Sequence, residues 1–201
     1  MRVVVVGATG TIGRAVVKKL SVRHEVIKVG HTGGDYHVDI GSADSITTLY
    51  EAIGTVDAVV STAGLATFRR LEQLTDDDFS LSVSNKLMGQ INLIRIGYRY
   101  VRDGGSFTVT SGLLGREPMQ GSAAISTVNA DIDAFVRTAA LELPRGIRVN
   151  AVSPVWVKET MEAMGMDSST GMPAEQVAFA YVESVEGKRN GEVLDTRSFA
   201  S

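Results

Sequence analysis

The sequence predicts an α/β fold: a doubly wound parallel sheet with helices on both faces, built as a single domain. Three observations carry that prediction. The chain opens on Val3-Val4-Val5-Val6, a run with no polar face, then Gly7-Ala8-Thr9-Gly10-Thr11-Ile12-Gly13 and a segment of helical pattern. Short apolar runs alternate with longer amphipathic segments along the rest of the chain. The 201 residues suit one domain with a substantial core, and no linker, repeat or low-complexity stretch divides them.

The order strand, glycine turn, helix start is that of a dinucleotide site. Gly7 lets the chain turn sharply. Gly10 lets backbone approach a pyrophosphate with no Cβ in the way, and Gly13 lets the helix lie close on the strand. Thr9, Thr11 and Ile12 fill the loop between them. The helix start supplies free N–H groups and a partial positive charge for phosphates. The spacing is G-x-x-G-x-x-G rather than the commoner G-x-G-x-x-G. Three glycines alone could make only a tight turn; the flanking strand and helix favour the dinucleotide.

Composition narrows the function classes. A net charge of −3 and the lack of a clustered Lys/Arg run give no reason to expect nucleic acid. The chain has no cysteine, which excludes disulfides, thiolate metal sites and cysteine nucleophiles and fits a reducing compartment. His24, His31 and His37 show no metal-ligand spacing, so no metal is expected. The valine run is too short to span a membrane and lacks a signal-peptide layout, so a cytoplasmic location is expected.

Each later element has its own local reason. Glu25-Val26-Ile27-Lys28-Val29 reads as a second strand ending at Gly30. An acidic residue at that strand end would take the ribose hydroxyls of NAD. Here Gly30-His31-Thr32-Gly33-Gly34 follows, with no carboxylate to repel a 2′-phosphate. His31, Thr32 and backbone amides are left to hold one, which favours NADP(H), with NAD(H) as the alternative. Residues 36–40 read as a third strand, with Asp39 beside Ile40 placed to accept from an adenine amino group or to form a turn. Ser42 or Asp44 caps a helix to about Ile53. Val56-Asp57-Ala58-Val59-Val60-Ser61 is a fourth strand, and the small residues Thr62, Ala63 and Gly64 let backbone pass close to a cofactor.

Thr75-Asp76-Asp77-Asp78 starts a helix with acids favourable to its dipole. A long amphipathic helix is expected over 79–101, with Leu81, Leu87, Ile91, Leu93, Ile94 and Ile96 on its apolar stripe. Gly104-Gly105 should break it before a fifth strand over 106–111. A second long helix is expected over 122–143, then a strand over 147–152. Residues 155–172 read as irregular with a short helix near 159–164. Pro173 opens a helix at its first turn, and 191–195 form a last strand.

The chain resembles the short-chain dehydrogenase/reductase family over essentially its whole length. The carriers are the glycine loop, Ser61-Thr62-Ala63-Gly64, which is similar to the family's Asn-Asn-Ala-Gly, and the run Ala140-Leu141-Glu142-Leu143-Pro144-Arg145-Gly146-Ile147-Arg148-Val149-Asn150-Ala151-Val152-Ser153-Pro154. The resemblance implies a Rossmann sheet of about seven strands, a nicotinamide cofactor, and a homodimer or homotetramer built on the two long helices. It places Pro154, Val157 and Thr160 at the nicotinamide end. Residues 155–172 correspond to the family's substrate lid, where Trp156, Met161, Met164 and Met166 could line an apolar pocket or serve as ordinary packing.

The family's catalytic set is an asparagine, a serine, and a tyrosine and lysine four apart. Asn85 matches the asparagine and Ser111 the serine. Ile125 stands where the tyrosine belongs and Asn129 where the lysine belongs. Isoleucine has no proton to give, and asparagine has no charge to lower a neighbouring phenol's pKa. Asn129 can still hydrogen-bond a ribose hydroxyl. General acid help is worth about 10²–10⁴-fold, so reduction of generic ketones is expected to be very low. Glu117, Ser122 and Asp131 are the substitute acids or donors the sequence offers, though solvated surface or helix cap explains each of them better. Three readings follow: an NADP(H)-dependent oxidoreductase acting on a small molecule with another proton donor, including water held by Ser111 and Asn85; a cofactor-binding module without turnover, such as a redox sensor or partner subunit; or a non-redox enzyme reusing the pocket.

Overall fold

The four opening valines are buried and divide between two cores. Successive side chains of a strand point to opposite faces. Val4 and Val6 therefore enter one core and Val3 and Val5 the other. Their strand, β1 (Arg2–Val6), pairs in parallel with β2 (Glu25–Gly30) on one side and β4 (Val56–Ser61) on the other. The computed structural model describes residues 1–199. Its sheet has seven strands in the order β3-β2-β1-β4-β5-β6-β7, every pairing parallel. The outer strands are β3 (Tyr36–His37) and β7 (Val193–Asp195), with β5 (Val101–Thr110) and β6 (Arg148–Ser153) between β4 and β7.

Two helix layers cover the sheet. On the face of Val3 and Val5, α1 (Thr11–Leu20) sets Val16 and Leu20 against Val177 and Tyr181 of α7 (Ala174–Glu186). On the other face lie α2 (Ala43–Ile53), α4 (Met88–Gly97) and α5 (Ala123–Glu142), which contribute Leu49, Leu93 and Ile132. The short α3 (Asp76–Leu81) precedes α4, and α6 (Lys158–Ala163) follows β6. The caps follow the sequence pattern. Ser42 accepts from the Ser45 N–H, and Thr75 with Asp78 forms a capping box. No helix is long and apolar enough to cross a membrane among the described residues.

Four expectations are corrected. The third strand is two residues long, because Asp39 folds back in a turn in which its carboxylate accepts from the Gly41 N–H. Gly104-Gly105 does not precede the fifth strand but lies inside it. β5 starts at Val101, and its register with β4 shifts between Val56 and Ala58. Pro173 precedes α7 as its cap rather than opening its first turn. The first long helix is not continuous α-helix: Ser82–Leu87 is a π-helical turn between α3 and α4, and the helix stops at Gly97. Glycine is required at that end. A Cβ on Gly97 would lie 2.3 Å from the hydroxyl of Tyr50. Tyr50 is fully buried, stacks on Tyr100 and donates to the Leu93 carbonyl at 2.7 Å. Gly97→Ala is expected to lower the unfolding free energy by about 1–3 kcal/mol, the usual range for overpacking; a urea midpoint equal to wild type would contradict it.

Candidate functional site

The glycine loop is tied down from two sides. The N–H groups of Gly7 and Ala8 both donate to the Val29 carbonyl, at 2.8 and 3.1 Å. The Thr62 hydroxyl donates to the carbonyls of Val6 and Gly7, each at 3.1 Å. Gly7 adopts φ +83°, the left-handed region that favours glycine. Gly13 has no room for a side chain, since a Cβ there would sit 1.9 Å from the Gly7 oxygen. Gly10 differs: a Cβ would meet only that oxygen, at 3.3 Å, so its open side faces the cleft. Gly10 caps α1 without a side-chain bond, leaving the first-turn N–H groups free for a ligand.

Two adjoining pockets continue from this loop. The first, about 350 Å³, is lined by Gly7, Thr9, Gly10, Gly30, His31, Val38, Asp39, Ile40, Ala63 and Asn85, among others. The second, about 290 Å³, is lined by Ile12, Lys86, Ser111, Leu113, Leu114, Ile125, Asn129, Pro154, Trp156, Val157 and Thr160, among others. Thr62 and Gly64 border both, which makes one cleft along the carboxyl ends of the central strands. Thr11, Gly13 and Thr32 do not line it; Gly13 acts through the loop, and Thr32 is exposed beyond the rim.

A cation stands beside the glycine loop, off the lining of the first pocket. Arg14, on the first turn of α1, donates its guanidinium to the Thr9 carbonyl. The Thr9 side chain lies against Gly30 and Gly33, where a carboxylate would mark an NAD site. Asn85 does not join Ser111. Its Oδ1 accepts from the Leu65 N–H at 2.8 Å, which puts the side chain in the first pocket rather than the second. A water shared by Ser111 and Asn85 is therefore not supported.

Ser111 follows β5 and is buried; its hydroxyl makes a long contact of 3.5 Å to the Val152 carbonyl and lies beside the Asp133 carboxyl. Behind it on α5 are Asn129 and Asp133, one helical turn apart. Asn129 Oδ1 is buried with no partner, and a Cβ on Gly112 would lie 2.8 Å from Asn129 Nδ2. Burial pushes the Asp133 carboxyl up, against a hydrogen bond from Ser111 that lowers it. Ile125 offers the second pocket only a hydrocarbon face.

The other substitute groups fall away. Glu117 pairs with Arg197 at 2.9 Å and lies off the lining. Ser122 staples its turn through Met119, and Asp131 is exposed. Tyr181 is fully buried on α7, bonded to the Thr110 hydroxyl, and its phenol is pushed up by burial. Of the lid residues, Trp156 lines the second pocket, with Phe68 edge-on at 6.1 Å, while Met161 is core and Met164 and Met166 are exposed.

Lys86 is the pocket residue that the sequence does not single out. It is 7% exposed, and its Nζ donates to the carbonyls of Thr110 and Ser111 at 3.2 and 3.3 Å. Burial alone pushes its ammonium down to about 8. The π-helical turn sends the successive Asn85 and Lys86 into two different pockets.

Comparison with known proteins gives the family. The family profile described as enoyl-(acyl carrier protein) reductase matches residues 3–193. Versicolorin reductase stcU of Emericella nidulans is 31% identical over 68% of this chain. Hydroxynaphthalene reductase arp2 of Aspergillus fumigatus is 27% identical over 76%. The matches span 54% and 60% of those two proteins, so the chain covers little more than half their length. Among solved structures, lin1944 of Listeria innocua superposes with a TM-score of 0.94 at 41% identity, covering 97% of this chain and 98% of that one. A small-chain dehydrogenase in complex with NADPH gives 0.85 at 28% identity, covering 97% and 95%. The chain belongs to the short-chain dehydrogenase/reductase family.

Proposed function

We propose that the chain is an NADP(H)-dependent oxidoreductase of small, largely apolar carbonyl or alcohol compounds. The observation that carries this is the cleft itself: it runs unbroken from a glycine-and-helix phosphate cradle to a buried hydroxyl, Ser111, inside an apolar pocket. The residues present fit a nicotinamide dinucleotide. Gly10 turns its open side to the cleft, and Asn129 Oδ1 is a buried acceptor awaiting a donor such as a ribose hydroxyl. The loop from Gly7 to Gly13 and the start of α1 would hold the pyrophosphate. Arg14, Thr9 and His31 would hold the 2′-phosphate, and Asp39 and Ile40 the adenine end. Thr62, Ala63 and Gly64 would flank the middle, and Pro154, Val157 and Thr160 the nicotinamide end. When bound, the reduced cofactor supplies hydride.

The chain's own part is to orient and polarise. Ser111 donates a hydrogen bond to the substrate oxygen. Asn85 fixes the backbone at Leu65 and so shapes the cofactor pocket. Ile12, Leu114, Ile125 and Trp156 give the substrate apolar walls and keep water out. The names of the reductase relatives support the direction of the reaction. The absence of an acid at Ile125 separates this set from the family's usual one. Phe79, Val83 and Met88, exposed together beside Gly41, support a homodimer or homotetramer through the first long helix; a monomeric mass in light scattering would contradict that.

Calorimetry tests the cofactor assignment. Wild type is expected to bind NADPH about tenfold more tightly than NADH, the scale of one charge-assisted contact. Arg14→Ala should remove most of that preference while leaving NADH affinity unchanged. Equal affinities in wild type, or a preference that survives Arg14→Ala, would contradict it.

A further inference from the structure

Lys86 has the features of a functional cation rather than a structural one. It is buried, yet no carboxylate lies within ion-pair distance among the described residues. Two of its three ammonium protons are committed to carbonyls, those of Thr110 and Ser111, both of which line the second pocket. The third has no protein acceptor among the described residues, and Lys86 itself lines that pocket. Room for its stem is built in: a Cβ on Gly64 would come within 3.0 Å of Lys86 Cγ. Gln90, one turn on, fixes the edge it leans on. Its amide donates to the Thr110 carbonyl and accepts from the Thr110 N–H, each at 2.7 Å. A buried cation that finds no anion in its own protein is stabilised by a ligand that carries or develops negative charge.

Building on the oxidoreductase reading, we propose that Lys86 is the proton donor of the reaction, in place of the tyrosine that Ile125 has displaced. The reduced nicotinamide, when bound, would supply the hydride of the new C–H bond, and the carbonyl π pair would move onto oxygen. One N–H bond of the Lys86 ammonium breaks and its proton forms the new O–H bond. Lys86 is left as a neutral amine, which regains a proton from solvent water. Ser111 holds the oxygen by a hydrogen bond through the transfer. In alcohol oxidation the same amine accepts the proton.

The groups facing Lys86 do not compete for this role. Asp133 on α5 lies beside Ser111 and within the influence of Arg116 and Arg137. Tyr181 on α7 reaches only the Thr110 hydroxyl. Neither lines the pocket. The ammonium, pushed down to about 8, is charged at neutral pH yet gives up its proton more readily than an ordinary lysine. Reduction should therefore hold steady below pH 8 and fall about tenfold per pH unit above it.

The experiment compares wild type, Lys86→Met and Lys86→Arg. NADPH affinity is read by calorimetry, and kcat for reduction of small aryl ketones is followed from pH 6 to 10. The Lys86 signal is titrated by NMR in cofactor-free protein carrying ¹³Cε-lysine, with Lys86→Arg identifying the resonance. We expect one lysine to titrate near pH 8. Lys86→Met should bind NADPH within about threefold of wild type and lose at least about 100-fold in kcat together with the alkaline limb. Lys86→Arg should keep the charge and stay slow. An ordinary lysine titration, or a Lys86→Met protein with wild-type kcat and the same limb, overturns the Lys86 role alone. A wild type that binds NADPH and reduces no ketone overturns the oxidoreductase reading beneath it.

Discussion

Gly13→Ala is expected to destabilise the protein by about 3 kcal/mol or more, at or beyond the upper end for overpacking. The added Cβ would lie 1.9 Å from the Gly7 oxygen, 2.8 Å from its carbon and 2.9 Å from Ala8 Cα, all backbone atoms. That backbone cannot retreat, because Gly7 and Ala8 are bonded to Val29 and the Gly7 carbonyl to Thr62. With typical stabilities of about 5–15 kcal/mol, this is a large fraction of the total. Gly10→Val separates binding from folding at the same loop. Gly10 has φ −78°, open to any residue, and a Cβ there meets a single atom, the Gly7 oxygen at 3.3 Å, a far milder contact than at Gly13. The variant should keep the wild-type urea midpoint and lose at least about 100-fold in NADPH affinity, because the valine occupies the pyrophosphate's place. A normal midpoint for Gly13→Ala, or normal NADPH affinity for Gly10→Val, would contradict this account of the loop.

Lys86→Met should make the protein more stable while abolishing its chemistry. The folded Lys86 loses its proton near 8 instead of the ordinary 10.5. At 1.36 kcal/mol per pH unit, the buried charge destabilises the native state by about 3 kcal/mol below pH 8. Methionine keeps the length and removes the charge, at the loss of two hydrogen bonds worth roughly 1–2 kcal/mol together. The net gain of about 1–2 kcal/mol corresponds to a Tm rise of roughly 2–8 °C for a chain of this size. The pH dependence has a definite sign. Between about 8 and 10.5 the folded wild type binds fewer protons than the unfolded chain, so its stability rises with pH and the advantage of Lys86→Met shrinks. Thermal melts at pH 7 and pH 10 read both effects; a destabilised Lys86→Met at pH 7 would show that the lysine is structural.

Much of this was legible in the sequence because it is written locally. A strand, three glycines and a helix start fix the cradle within a dozen residues, and the register of the 140–154 run fixes Ile125 and Asn129. Both residues line the pocket by Ser111. What escaped depends on three-dimensional placement. The apolar stripe through Leu81, Leu87 and Ile91 drew attention away from Ser82, Lys86 and Gln90, spaced four apart and all buried. That spacing was the available signal, but a π-helical turn shifts which side chains face inward, and it has no clear mark in composition. Asn85 was assigned beside Ser111 for the same reason and lies in the neighbouring pocket. Thr9 is remote in sequence from the second strand's end, so its closeness to Gly30, with Arg14 bonded to its carbonyl, appears only once the loop folds against β2. Glu117 looked free until Arg197, eighty residues later, closed on it.

The most direct test is deuteride transfer in a single turnover. Excess protein, NADPH deuterated at the transferring C4 position and a panel of small aryl and alkyl ketones are mixed, and the products are read by mass spectrometry. The account predicts an alcohol one mass unit heavier, with deuterium on the carbinol carbon. NADPH shown to be bound, with no deuterium in any product across the panel, would contradict it and leave a cofactor-binding module in its place.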